Sequence, residues 1–361
     1  MWDDQQRPAE PVPPTWGNIR LGRSFAAATL AESAIGRRLG WDMPVFRGQV
    51  AADVMGGAGS YFMVSPSAFL MKQGAAVDFL QLASWTQFGN AMRQLRNIFY
   101  VARKYRARRI VFPKPHPFLA GNRAGSAELR WNGDLQPPED AGLVGDFYYL
   151  TGLGLAPRPD EQAAIIARSV RPLLTPRLRA LHPGVGDNDI AVHIRAGDIF
   201  GLGGKAIHPD YGQPPLSYYL GAIEREQPSR VWLIYQDRGN PCVDALEAEL
   251  GRRGIPVTSQ SAALDADLHV LLSARCLVAG IGTFVPAVAS MSSRAKRLYL
   301  FAPPIATLQH LGIDIVAADD LRGDYRRAVW SHNWTASPEQ RALMLAYPAE
   351  AIGFTDHPAS R

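Results

Sequence analysis

Between Asp189 and Phe301 the chain repeats a strand signal followed by a helix signal, and this alternation narrows its possible folds more than any other feature. Ile190, Val192 and Ile194 alternate as a half-buried strand does, and the run ends in the polar cluster His193, Arg195, Gly197 and Asp198. Pro215–Glu226 reads as a helix with Tyr218, Tyr219, Ala222 and Ile223 on one face, and Arg230–Tyr235 as a strand. Pro241–Arg253 is a helix opened by proline and closed by Gly254. The spacing then predicts a strand over Ile255–Thr258, a helix over Asp265–Ser273 and a strand over Cys276–Ala279. A helix over Thr283–Ser292 and a last strand over Arg297–Phe301 complete the series. Such alternation builds right-handed βαβ units on a parallel sheet covered on both faces, an α/β fold.

In open sheets of this kind ligands bind beyond the carboxyl ends of the strands. Three polar clusters fall there: His193/Arg195/Asp198, Gln236/Asp237 and Gly280/Gly282/Thr283. Their convergence on one edge favours a nucleotide pocket over three unrelated surface features. Arg195 offers a planar fork to phosphate oxygens, or else a surface ion pair with Asp198. Gly282, Thr283 and Phe284 open a helix whose free N–H groups and dipole favour phosphate, or Thr283 is a simple N-cap. Asp237 is suited to ribose hydroxyls or a guanine edge, or it organises the turn Asp237-Arg-Gly-Asn240. His193, inside a strand pattern, reads as a core histidine rather than a general base.

The N-terminal half carries a second strand–helix–strand unit: Val77–Leu82, Ala91–Arg106 and Arg109–Phe112. Phe88, Met92, Leu95, Phe99 and Ala102 form an apolar stripe, and Arg93, Arg96, Arg103, Lys104 and Arg106 lie largely off it, a solvated face or else a set of phosphate or membrane contacts. Gly89-Asn90 falls at the helix start, where Asn90 either caps the helix or points toward a ligand. Gly56-Gly-Ala-Gly59 follows no convincing strand and reads as a loop rather than a dinucleotide fingerprint. His208 and Asp210 suit acid–base work or, more simply, organise a turn in a Pro-rich connection. The eight histidines and two cysteines show no metal-ligand spacing, so no metal site is expected.

His193-Ile-Arg-Ala-Gly-Asp198 resembles the His-x-Arg-x-Gly-Asp signature of the fucosyltransferase superfamily, which includes α-1,2-, α-1,6- and protein O-fucosyltransferases. Phe88-Gly-Asn-Ala-Met-Arg-Gln94 is similar to the family's first Gly-Asn element, and Ser273–Phe284 to its element ending in small-Thr/Ser-Phe. The resemblance spans residues 77–301 in the family's motif order. It implies two facing Rossmann-like domains (the GT-B arrangement), transfer of a 6-deoxyhexose from GDP-fucose with inversion, and no metal or other cofactor. It implies catalytic roles for Arg195, Asn90 and Asp198, with nucleotide-sugar contacts from His193, Arg195, Gly197, Asp237, Gly282, Thr283 and Phe284. Ala196 replaces the second basic residue of many members, and Ile199–His208 lacks the glutamate of the α-1,6 type. Linkage, base and acceptor therefore stay open. An enzyme of the same fold using another nucleotide sugar, or a non-catalytic nucleotide-sugar binder, is the alternative.

At 361 residues, 47% hydrophobic and 20% charged, the chain holds enough material for two domains. The expected division is a loose Pro-rich tail over 1–18, an acceptor-side Rossmann-like domain over 19–170 and a GDP-sugar-binding Rossmann-like domain over 187–325. Residues 326–361 then supply a C-terminal helix, opened by the capping box Ser337-Pro-Glu-Gln340, that packs back toward the first domain. A net charge of +5 suits an anionic donor and a glycan or lipid-linked oligosaccharide acceptor of polysaccharide biosynthesis, with at most peripheral membrane contact. No basic-aromatic platform for nucleic acid occurs. With no secretory or membrane-spanning apolar run, and Cys242 and Cys276 read as reduced structural thiols, a cytoplasmic protein is expected.

Overall fold

The computed structural model describes short strands within residues 15–64. It further describes residues 79–82, 84–131, 142–145, 147, 148, 150, 155–201, 207, 211–330 and 333–359. The loop reading of Gly56–Gly59 and the turn roles of His208 and Asp210 lie outside the described residues. The chain divides into two units between Thr175 and Pro176.

In the first unit, β1 (Thr15–Trp16) and β2 (Ile19–Arg20) form an antiparallel pair. Part of the expected loose tail is thus a strand, as a β-branched and an aromatic residue allow. β3 (Phe25–Thr29), β4 (Pro44–Gln49) and β5 (Ser60–Val64) make a three-stranded antiparallel sheet. The principal sheet comprises β6 (Phe79–Leu82), β7 (Arg109–Phe112), β8 (Arg123–Ala124), β9 (Ala127–Trp131) and β10 (Gly142–Gly145), in the order β10-β6-β7-β9-β8. Its pairings are parallel except β8 with β9.

Between β6 and β7 runs α1 (Phe88–Lys104). The predicted stripe is its buried face: Phe88, Met92, Leu95, Phe99 and Ala102 are all in the core. Arg103, Lys104 and Arg106 are exposed, whereas Arg93 and Arg96 are half-buried. The helix predicted over Asp160–Val170 is α2 (Pro159–Ile165) followed by a π turn over Ile166–Val170 and a 3-10 turn over Arg171–Leu173. Pro172, which lacks an N–H, stands where the regular ladder has ended.

The second unit opens with α3 (Pro176–Arg179) and then alternates as the sequence predicts. Its elements are β11 (Asp189–Ile194), α4 (Leu216–Glu226), β12 (Arg230–Tyr235), α5 (Cys242–Arg252), β13 (Val257–Gln260), α6 (Leu264–Ser273), β14 (Cys276–Ala279), α7 (Phe284–Met291) and β15 (Arg297–Phe301). β13 starts two residues later than predicted, because Pro256 cannot donate to the ladder. Arg297–Phe301 is not the last strand. β16 (Asp314–Asp320) and β17 (Ile352–His357) follow, separated by α8 (Asp324–Val329) and α9 (Pro338–Ala346).

The seven strands lie in the order β13-β12-β11-β14-β15-β16-β17, parallel up to β16 and antiparallel at β17. Counted from β11, the parallel strands read 3-2-1-4-5-6, the doubly wound dinucleotide order. One face packs Ile190, Val192, Ile194, Leu233, Val278 and Tyr299 against α4, α5 and α9. The alternate residues Ala191, Trp232, Ile234, Leu277 and Leu298 are equally buried, so both faces are covered.

The capping box of α9 forms as read, with Ser337 Oγ accepting from the Gln340 N–H at 3.3 Å and Gln340 Oε1 accepting from the Ser337 N–H at 3.3 Å. Residues 326–361 carry this helix. This segment belongs to the second unit, where α9 packs on α4 and α5 and β17 extends the sheet. Burial of Met344 and Trp334 in that unit's core fixes it there.

Candidate active site

The order 3-2-1-4 reverses direction between β11 and β14, and a crevice opens at such a point beyond the strands' carboxyl ends. β11 and β14 are in register with His193 opposite Ala279. The residues that follow, Arg195–Asp198 on one side and Gly280–Phe284 on the other, therefore emerge side by side. Tyr218 of α4 braces the floor, its hydroxyl donating to the Ala279 carbonyl at 2.8 Å.

Arg195 is 23% exposed, and its guanidinium lies over the Tyr211 ring at 4.1 Å. The Asp198 carboxylate stands 3.8 Å away and is 44% exposed, so the expected ion pair exists but is long. Gly282 adopts φ +135°, open in practice only to glycine, and a Cβ there would come within 3.4 Å of Arg195 Nη1. The backbone of the second loop thus lies directly against the cation. Gly197, at φ +70°, starts a 3-10 turn over Gly197–Phe200, and a Cβ on it would strike the Gln236 amide at 2.6 Å.

Thr283 occupies the N-cap position of α7, yet its side chain makes no capping hydrogen bond. The position is the one the simpler reading assigned, while the capping bond is not made. Phe284, the first residue of α7, places its ring 4.9 Å from that of half-buried His193. Burial, and secondarily Arg195, hold the His193 imidazole down at about 4, so it is neutral at pH 7 and leaves Arg195 as the local positive charge. Asp237 folds into a turn, its Oδ1 accepting from the Gly239 N–H at 2.7 Å. The organising role read for it is thus present.

In the first unit Asn90 is the third residue of α1, just past the carboxyl end of β6. Gln87, not Asn90, takes the N-cap position. Asn90 Oδ1 instead accepts from the Tyr148 hydroxyl at 3.3 Å, a bond that sets which way the amide faces. Tyr148 also lies beneath the Arg93 guanidinium, 4.5 Å from ring centroid to cation. Asn97, one helical level further on, donates to the carbonyls of Phe147 and Tyr148, both at 2.9 Å, and so holds that turn.

Several residues of the second-unit site left no sequence signal of their own. Tyr211 sits in a Pro-rich connection without periodicity. Asn240, fully buried, donates to the Arg195 carbonyl at 2.9 Å and accepts from the Cys242 N–H at 2.9 Å. Cys242 and Cys276 are buried and in no disulfide, and burial pushes both thiols up, far from reactivity at neutral pH. Among the described residues no group of three or more His, Cys, Asp and Glu side chains is arranged to hold a metal, and no helix is long and apolar enough to cross a membrane.

No family model matches the chain, and no curated protein matches it. Solved structures show a distant likeness. POFUT1 in complex with GDP is 12% identical, with 62% of this chain and 98% of that chain covered at a TM-score of 0.42. TibC, a bacterial iron-containing dodecameric glycosyltransferase from enterotoxigenic E. coli, is 12% identical, with 71% and 64% covered at a TM-score of 0.39. A mutant of Arabidopsis thaliana FUT1 in complex with GDP is 11% identical, with 70% and 72% covered at a TM-score of 0.38. At such distance the site's own geometry carries the functional reading.

Proposed function

We propose that this protein is a GT-B glycosyltransferase that moves a 6-deoxyhexose, fucose from GDP-fucose in the first instance, to a hydroxyl of a glycan or lipid-linked oligosaccharide acceptor. Transfer inverts the anomeric carbon and uses no metal. The observation that carries this reading is the placement of Arg195 against the Gly282 backbone in the crevice between β11 and β14. A cation, a glycine-bared backbone and a helix N-terminus meet there, the combination a diphosphate calls for.

The acceptor oxygen bonds to the anomeric carbon as that carbon's bond to the β-phosphate oxygen breaks. Negative charge grows on the departing nucleotide, where Arg195, Thr283 and the first N–H groups of α7 stabilise it. The acceptor proton passes to a base, for which Asp198 is the candidate; its other role is to orient Arg195. His193, Gly197, Asp237 and Phe284 complete the donor contacts. Ala196 and the carboxylate-free run Ile199–His208 favour, as a second reading, the same chemistry with another nucleotide sugar.

The test is thermal. GDP is expected to raise the melting temperature without added metal, and UDP, ADP and CMP much less, since a ligand at 100 times its Kd adds about 2.7 kcal/mol. A larger shift with UDP or CMP, or loss of the GDP shift in EDTA, would overturn the donor assignment. A donor-hydrolysis assay separates an enzyme from a non-catalytic binder.

Asn90 is assigned to the acceptor side. Asn90→Ala is expected to leave GDP affinity unchanged while turnover falls on the order of 100-fold, the scale of losing one positioning contact. Asn90→Asp falls further, because a carboxylate replaces the amide and removes its N–H donors. Full turnover with a lowered melting temperature would make Asn90 purely structural.

A further inference from the structure

We infer that Arg341 is a positioning residue that locks together the two loops carrying the Arg195 site. This deepens the donor-site reading and rests on it for the ligand, though not for the geometry. From α9, Arg341 donates through Nε to the Ala336 carbonyl at 2.9 Å, through Nη1 to the Gly239 carbonyl at 3.1 Å and through Nη2 to the Phe200 carbonyl at 3.1 Å. Three chain segments thus converge on one planar group. Its plane also lies over the Phe200 ring, 5.1 Å from the centroid. Among the described residues no carboxylate pairs with it.

The two distant carbonyls belong to the loops that fix Arg195. Phe200 ends the turn that begins at Gly197, two residues after Arg195. Gly239 precedes Asn240, whose side-chain amide holds the Arg195 carbonyl at 2.9 Å. Trp334 reinforces the first loop, its indole N–H donating to the Ile199 carbonyl at 2.6 Å. Arg195 is therefore held on its downstream side by Phe200 and across the strand ends by Asn240, and Arg341 ties both holds together. Only a guanidinium has the fixed fork for this; an ammonium on a flexible stem meets one carbonyl at a time.

The experiment compares wild type, Arg341→Lys and Arg341→Gln in the full-length protein. Hydrogen exchange without nucleotide is expected to speed up at least ~10-fold over residues 197–201 and 236–240 in both variants, with β11 unchanged. Nucleotide affinity, read with whichever of GDP, UDP, ADP and CMP stabilises the wild type most, should weaken roughly 10-fold, about 1.4 kcal/mol. Exchange unchanged in both loops, or a lowered melting temperature with loop exchange and nucleotide Kd unaltered, overturns the assignment. Failure of GDP in particular would sink the donor reading alone, because the exchange measurement does not depend on it.

Discussion

Arg195→Ala is expected to lower the transfer rate about 100- to 1000-fold, the ~3–4 kcal/mol that one donor aimed at developing charge supplies. Folding should change little. The only charge partner described for Arg195 is the Asp198 carboxylate at 3.8 Å, and both groups reach solvent. Exposed pairs of this kind contribute about 0–1 kcal/mol, and the Tyr211 contact about as much. Arg195→Lys should recover little, since a point charge neither stacks on Tyr211 as a plane nor presents two N–H groups to a diphosphate. Steady-state kinetics beside a thermal melt decide the matter. Near-normal transfer with folding intact would return Arg195 to the surface ion pairs.

Trp334→Ala carries the largest expected loss of stability. The side chain is 1% exposed, packs edge-on to Phe200 at 5.1 Å and donates to the Ile199 carbonyl. Truncation leaves a cavity and an unpaired buried carbonyl, roughly 3–5 kcal/mol together. In a unit of this size each kcal/mol moves the melting temperature ~2–4 °C. Trp334→Phe keeps most of the packing and loses the N–H, so it should cost about 1–3 kcal/mol. Chemical denaturation of both variants checks the order; equal losses would show that the hydrogen bond, not packing, sets the effect.

The strands and helices from Asp189 to Phe301 were legible because apolar strand runs such as Ile190–Ile194 and Val231–Ile234 alternate with amphipathic helices, and their pairing is parallel to sequence neighbours. β16 and β17 were not. Asp314-Ile-Val-Ala-Ala-Asp-Asp320 is flanked by acids, and Ile352–His357 carries Gly353 and three polar residues; each becomes a strand only through its partner. At the site, Arg195, Gly282 and Thr283 could be picked out because they fall where strand patterns stop and a helix pattern starts. Arg341, Asn240 and Tyr148 act by reaching carbonyls or amides between 45 and 141 residues away, and such bonds leave no period in the sequence. Asn90 was placed correctly at the start of a helix, but Phe88 is buried and draws the helix start back to Gln87.

The antiparallel partner at the end of the second sheet has a consequence for colloidal behaviour. The middle of β16, Ile315–Ala318, is apolar on both faces, and left open the strand would present a row of unmatched amides to any passing chain. β17 covers that row over six residue pairs and substitutes a rim that includes Thr355, Asp356 and His357, with Asp356 in turn paired to Arg225 at 2.9 Å. The sheet thus meets water along a charged hem, poorly suited to strand addition. Six residues near the end of the sequence, remote from any chemistry, set how well the folded molecule stays apart from its neighbours in a crowded solution.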